Sequence, residues 1–157
     1  MYAKVLLAYD GSVEGRRALR EGARLAELCK ADVFLLAVIN LSPGVMMAEG
    51  AAPGAVEHQR EAYGKVLEEG VQRLKAMGFS PTARLEFGEP SHQIAAVARE
   101  IGADLVVVGH HHQSAFARWW RGSVGANLLE DLRCSLLVAQ SDSGEDVLRE
   151  TDPSQVQ

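Results

Sequence analysis

The strongest constraint on the fold is a series of short, strand-like apolar runs spaced along the chain. Lys4 to Tyr9 (KVLLAY) has no polar alternation, which is typical of a strand that is covered on both faces of its sheet. Further strand-like runs follow at Asp32 to Asn40, at Thr82 to Phe87 (which alternates), at Ala103 to Val108 and at Cys134 to Ala139. The sequence therefore predicts five strands.

Segments with apolar residues at helical spacing separate these runs. The turn signal Asp10-Gly11-Ser12 precedes the first helix, and either Ser12 or Asp10 is expected to cap its first turn. Three more helices are predicted: Ala55 to Met77, one opened by Glu89-Pro90-Ser91, and Gly122 to Leu132. The inward stripe of the second helix is predicted to be Val56, Tyr63, Leu67, Val71 and Leu74.

Strand, helix and strand within some forty residues predict βαβ units, whose crossovers are right-handed and whose strands are parallel. The fold class is thus α/β, a doubly wound parallel sheet of five strands with four helices. In a sheet ordered 3-2-1-4-5, the first and fourth strands are neighbours. Ligands bind such sheets at the carboxyl ends of the strands, where the strand order reverses.

Length and composition limit the classes of protein that fit. The 157 residues predict one domain over residues 1–140, followed by a polar, acidic and flexible tail at residues 141–157. The net charge of -5 provides no overall field that would attract nucleic acid or an anionic membrane. The longest apolar runs, such as Val33 to Ile39, are far too short to span a bilayer. We therefore expect neither nucleic acid nor membrane as a partner.

Two further features favour a cytoplasmic location. Met1 is followed almost at once by a strand-like segment, which leaves no room for a cleavable signal. Cys29 and Cys134 lie far apart without CxxC spacing, as expected of two buried thiols in a reducing compartment.

The carboxyl-edge rule directs attention to three segments: Asp10-Gly11-Ser12, Val38-Ile39-Asn40 and the loop from Gly109 onward. Since the first and fourth strands are neighbours, Asp10 and Gly109 are expected to open onto the same crevice. The loop after Gly109 ends in Arg121-Gly122-Ser123-Val124 at a predicted helix start, where free N–H groups and the helix dipole favour anions. The alternative is that Gly122 is a turn glycine and Ser123 only an N-cap.

The loop itself reads GHHHQSAFARWWRGSVG. Its consecutive histidines, from His110 to His112, cannot all converge on one metal, and no Asp, Glu or Cys at ligand spacing joins them. Phe116 and the pair Trp119-Trp120 form a lid, contact a partner or pack on the protein's own helices. We interpret this stretch as a modified phosphate loop.

The opening KVLLAYDGS, the block GEPSHQIAAVAREIGADLVVVG and the spaced glycines ending in Gly122-Ser123-Val124 resemble the universal stress protein family. The resemblance covers about residues 1 to 140. It implies a homodimeric cytoplasmic protein with a Rossmann-like fold of the adenine nucleotide alpha hydrolase type. One branch of the family binds ATP and another does not.

The ATP-binding branch carries the pattern G-2x-G-9x-G-[S/T] after the fourth strand. Gly109 and Gly122-Ser123 match it with the spacing intact, but His112 replaces the middle glycine. The resemblance also implies that Asp10 lies near the ribose and a nucleotide-bound Mg²⁺, and that Val38 meets the adenine through its backbone. The resulting candidate site for ATP comprises Ala8, Tyr9, Asp10, Val38, Val108, Gly109, His112, Gly122, Ser123 and Val124.

His112 leaves the branch open. A side chain at this position hinders close backbone approach to phosphates, whereas an imidazole can also donate to them, beside Arg118 and Arg121. The leading hypothesis is a stress-response binding module whose nucleotide state alters its association with a client protein. The alternatives are a slow ATPase, for which we find no obvious general base and no loop lysine, and a nucleotide-free dimeric scaffold. The homodimer is expected to form through the last strand.

Overall fold

A computed structural model describes residues 1–40, 54–110 and 128–140 of the chain. Its five strands form one sheet in the order β3-β2-β1-β4-β5, and every neighbouring pair is parallel. The strands are β1 (Lys4–Ala8), β2 (Asp32–Ile39), β3 (Thr82–Phe87), β4 (Leu105–His110) and β5 (Ser135–Gln140). The predicted fold class and strand order are confirmed.

Helices cover both faces of this sheet. They are α1 (Val13–Cys29), α2 (Ala55–Ala76) and α3 (Pro90–Ile101), and residues 128–131 are also helical. The predicted fourth helix, Gly122 to Leu132, thus begins outside the described residues and is described only near its end. The tail at residues 141–157 also lies outside the described part of the chain.

Residues that alternate along the strands supply two cores. Val5, Leu7 and Tyr9 of the first strand and its end face α1 and α2, while Leu6 and Ala8 face α3 and Leu128. This alternation follows from the two-residue period of a strand. It explains why the central strands β1 and β4 are largely apolar, since their side chains meet covered faces on both sides of the sheet.

The predicted stripe of α2 is correct only in its second half. Val71 and Leu74 are buried, and Tyr63 and Leu67 are half-buried, but Val56 is 42% exposed. A helix of 22 residues is about 33 Å long, whereas a strand of six residues spans only about 20 Å. The start of α2 therefore extends past the sheet and finds no core to enter.

The predicted start of the fourth strand is wrong by two residues. Ala103 N donates to Ala98 O at 2.8 Å, so Ala103 still belongs to the C-terminal turn of α3. β4 starts at Leu105 and continues to His110, which is paired with Gln140 of β5. Gly109 and His110 are consequently strand residues, and not the first residues of a loop as predicted.

Candidate functional site

The turn after β1 is fixed by a short relay of hydrogen bonds. Ser12 caps α1, since its Oγ accepts from Gly15 N at 2.9 Å. Asp10 Oδ1 accepts from both Ser12 N at 3.0 Å and Ser12 Oγ at 2.6 Å. Of the two predicted cap residues, Ser12 is therefore the cap, and Asp10 holds it in place. Oδ1 of Asp10 is fully engaged in this relay.

Glycines allow neighbouring elements to close on this turn. Gly11 has φ +79, and a Cβ there would lie 3.1 Å from Cγ1 of Val66 on α2. On the opposite side, a Cβ on Gly109 would lie 2.7 Å from the carbonyl oxygen of Glu14 and 3.0 Å from Gly15 N. The strand β4 therefore touches the backbone of the first turn of α1. Gly109 has a packing reason to be glycine whether or not a ligand binds beside it.

Tyr9 belongs to the site through its backbone. Its N donates to Leu36 O at 2.8 Å, which continues the β1–β2 ladder past Ala8. The ring is buried (2% exposed) between α1 and α2, where a Cβ on Gly70 would lie 2.8 Å from Cδ1 of the ring. The Tyr9 side chain thus packs in the core on the side of the sheet that α1 and α2 cover.

A charged cluster borders the Tyr9 hydroxyl. Glu69 Oε1 accepts from Arg16 Nη2 at 2.9 Å and from Arg73 Nε at 2.9 Å. Burial raises the pKa of Tyr9, and the adjacent Arg16 guanidinium offsets part of that rise. Burial also acts to raise the pKa of Glu69, but the two guanidinium groups lower it on balance. Although Oη lies beside Arg16, no described residue meets hydrogen-bond geometry with it.

The remaining described candidates lie on adjacent strands at the same edge. Ala8 and Val108 are both buried in the α3-side core, and Val38 is half-buried against it. The side chains of Ala8 and Val108 are therefore occupied in the core, and the contact of Val38 with adenine stays a prediction. Ala8, Asp10, Val108 and Gly109 lie close together, because Leu7 of β1 pairs with Val107 of β4, and Ala8 and Val108 are the residues that follow this pair.

Four candidates, His112, Gly122, Ser123 and Val124, lie outside the described residues, as do Phe116, Arg118, Trp119, Trp120 and Arg121. Within the described ranges, no three His, Cys, Asp or Glu side chains gather as metal ligands. Asp10 does offer a carboxylate, the hard oxygen ligand that Mg²⁺ prefers alongside nucleotide phosphates and water. Among the described candidate residues, Asp10 alone carries such a side chain, which fits a Mg²⁺ whose other ligands come from a nucleotide and water.

Sequence reasoning missed Gly15. A Cβ on this residue would come within 3.0 Å of Asp10 Oδ1 and would lie 3.1 Å from Ser12 Oγ. The available signal was a glycine in the first turn of an otherwise regular helix, where alanine is the better helix former. That signal shows that space is needed, but not which group needs it.

Comparisons with known proteins identify the family to which this chain belongs. The model of the universal stress protein family matches residues 1–140. A universal stress protein of Methanocaldococcus jannaschii is 25% identical over 92% of this chain and 86% of its own length. The described helices include none that is both long and apolar enough to cross a membrane.

Two solved structures share the fold and a quarter or more of the sequence. A universal stress protein family member from Burkholderia pseudomallei is 30% identical, with a TM-score of 0.67 over 87% of this chain and 95% of its own. A universal stress protein in complex with cAMP is 25% identical, with a TM-score of 0.64 over 88% of this chain and 96% of its own.

Proposed function

Because this chain belongs to the universal stress protein family, we propose that it is a cytoplasmic regulatory module that binds an adenine nucleotide between β1 and β4. The observation that carries the proposal is the Asp10 carboxylate, which two hydrogen bonds from Ser12 hold at the end of β1. Gly109 lies on the adjacent strand, at the same edge of the sheet. The cAMP complex of a relative with the same fold supports an adenine nucleotide as the ligand class.

The proposed roles divide between the described and undescribed parts of the site. Asp10 binds the ribose and the Mg²⁺ that accompanies ATP, and Val38 meets the adenine through backbone atoms. The backbone of Ala8, Tyr9, Val108 and Gly109 forms the floor between the strands. His112, Gly122, Ser123 and Val124 contact the phosphates. Bound nucleotide then changes the surface that a client protein meets.

Native mass spectrometry of the freshly purified protein tests this function directly, since retained nucleotide adds its mass to the protein. Calorimetric titration with Mg·ATP then compares Asp10→Ala with Asp32→Ala, an exposed carboxylate at the start of β2. We expect the Asp10 variant to bind at least about tenfold more weakly, and the Asp32 variant to bind normally. Absence of nucleotide in both assays would reject the proposal and favour the nucleotide-free scaffold.

We also propose that two copies pair through β5. The two edges of the sheet differ in chemistry: β3 carries Arg84, which forms ion pairs with Glu86 at 2.6 Å and Glu100 at 2.9 Å. Charges of this kind protect an edge from pairing. The edge strand β5 instead carries Leu136, Leu137 and Val138, all only half-buried. Light scattering at micromolar concentration should report a dimer, and a monomer would refute the pairing.

A further inference from the structure

We propose that Gly15 is a positioning residue for Asp10, an inference that rests on the proposed nucleotide site and explains how its carboxylate is aimed. The proposal starts from the place where a side chain at residue 15 would go. A Cβ on Gly15 would come within 3.0 Å of Asp10 Oδ1, while the Tyr9 ring would lie at an ordinary 3.5 Å. The volume that a side chain at residue 15 would need is thus occupied by the Asp10 carboxylate and not by side chains of the hydrophobic core.

The same residue also anchors the carboxylate through its backbone. Gly15 N–H donates to Ser12 Oγ, and Ser12 Oγ–H donates in turn to Asp10 Oδ1. The second donor to Oδ1 is Ser12 N. Hydrogen bonds to one oxygen of a ligating carboxylate fix its orientation. With Oδ1 held at the start of α1, Oδ2 is the oxygen that Asp10 presents to the Mg²⁺ or ribose of the ligand.

Another glycine of α1 shows what a purely structural role looks like. A Cβ on Gly22 would also come within 3.0 Å of a side-chain atom, but that atom is Cδ2 of Leu7, with Val107 Cγ2 at 3.1 Å. Both glycines are buried in the same helix. Gly15→Ala and Gly22→Ala therefore make the same chemical change, and each displaces the end of one flexible side chain. Only the first displaces Asp10.

The test measures Mg·ATP affinity and thermal midpoint for both alanine variants. Because outer-shell changes typically weaken metal-ligand sites by about 10- to 100-fold, we expect a loss in this range for Gly15→Ala. Gly22→Ala should change the midpoint and leave the affinity within about twofold of the original. Ser12→Ala removes the Oγ–H donor to Asp10 Oδ1, keeps the Ser12 N–H donor and adds no bulk, so it should weaken binding in the same direction as Gly15→Ala.

A double mutant separates the positioning role from the nucleotide hypothesis. Once Asp10→Ala has removed the carboxylate, the tightest remaining contact of a Cβ at residue 15 is Ser12 Oγ at 3.1 Å, which a shift of a few tenths of an ångström relieves, and alanine gains helix propensity. We therefore expect Gly15→Ala to lower the midpoint in the original protein and to raise it in the Asp10→Ala background. An equal fall in both backgrounds would overturn the positioning role. If no variant binds nucleotide, the proposed function fails, while the thermal comparison still decides whether Gly15 positions Asp10.

Discussion

The closest backbone approach at the candidate site predicts that Gly109→Ala destabilises the protein. The new Cβ would lie 2.7 Å from Glu14 O and 2.8 Å from Glu14 C, about 0.7 Å short of ordinary contact. Both atoms belong to the backbone, so relief requires the first turn of α1 to move as a unit. Overpacking of this kind costs about 1–3 kcal/mol. Disturbing the Ser12 cap adds about 1 kcal/mol.

The loss is offset only in part, because alanine is better than glycine within a strand by about 0.5–1 kcal/mol. The net change is a loss of about 1–3 kcal/mol, which corresponds to a fall in the thermal midpoint of roughly 3–10 °C for a domain of this size. Differential scanning calorimetry measures it. Gly64→Ala is the matched control, since a Cβ there meets nothing within 4 Å and the helix should gain up to about 1 kcal/mol. A Gly109→Ala protein that melts within a degree of the original would refute the reasoning.

Three further predictions concern the frame of the site. Asp104 accepts from Ala3 N at 2.7 Å and Lys4 N at 3.1 Å; although burial acts to raise its pKa, these bonds lower it on balance. Its stabilising contribution is therefore fully present above the unfolded pKa of about 3.9 and is lost as pH falls through the lower folded pKa. Asp104→Asn should lower the midpoint most at pH 7, and progressively less as the pH falls below about 3.9. Tyr9→Phe should leave the free energy of unfolding unchanged or raise it by about 1 kcal/mol, because the buried Oη meets no described partner in hydrogen-bond geometry. Urea denaturation measures this change, and a loss of about 1 kcal/mol would instead show a hydrogen bond from Tyr9 to Arg16. Ser135 N donates toward β4, and N–H directions alternate along a strand, so the N–H of Val138 is expected to face the outer edge of β5. Val138→Pro removes that donor and should give a folded monomer by light scattering. A Val138→Pro protein that stays dimeric would contradict pairing at this edge.

The sequence was sufficient to predict the layout of the sheet because burial and handedness act on whole segments. A strand such as Lys4–Ala8 meets covered faces on both sides, and right-handed crossovers leave few possible strand orders. Segment ends were less accurate, as at Ala103, because one hydrogen bond to Ala98 decides whether a residue completes a helix or begins a strand. The local sequence pattern does not predict whether that hydrogen bond forms.

The candidate site was predictable only where its residues sit next to a strand end. Asp10 and Gly109 follow from the carboxyl-edge rule and the strand order. Gly15 does not, because its importance lies in a contact with Asp10 Oδ1 that depends on the rotamer of that side chain. The orientation of the Tyr9 ring toward Gly70 was equally hidden, since it depends on where α2 crosses the end of β1.

At the proposed nucleotide site, stability and ligand binding are expected to be coupled, because the contacts that hold the Asp10 turn also hold its carboxylate. Val66 of α2 lies close to Gly11, and Gly109 of β4 lies close to the backbone of Glu14, so the Asp10 turn is packed against two elements. An enclosed turn keeps its carboxylate in place before a ligand arrives, which lowers the entropic cost of binding. It also means that a substitution in either contact lowers stability together with affinity. Loss of binding in a variant of this turn therefore identifies a ligand contact only when its thermal midpoint is measured alongside. This holds for Asp10→Ala too, which leaves Gly11 and Gly109 unchanged but removes the acceptor of both hydrogen bonds from Ser12.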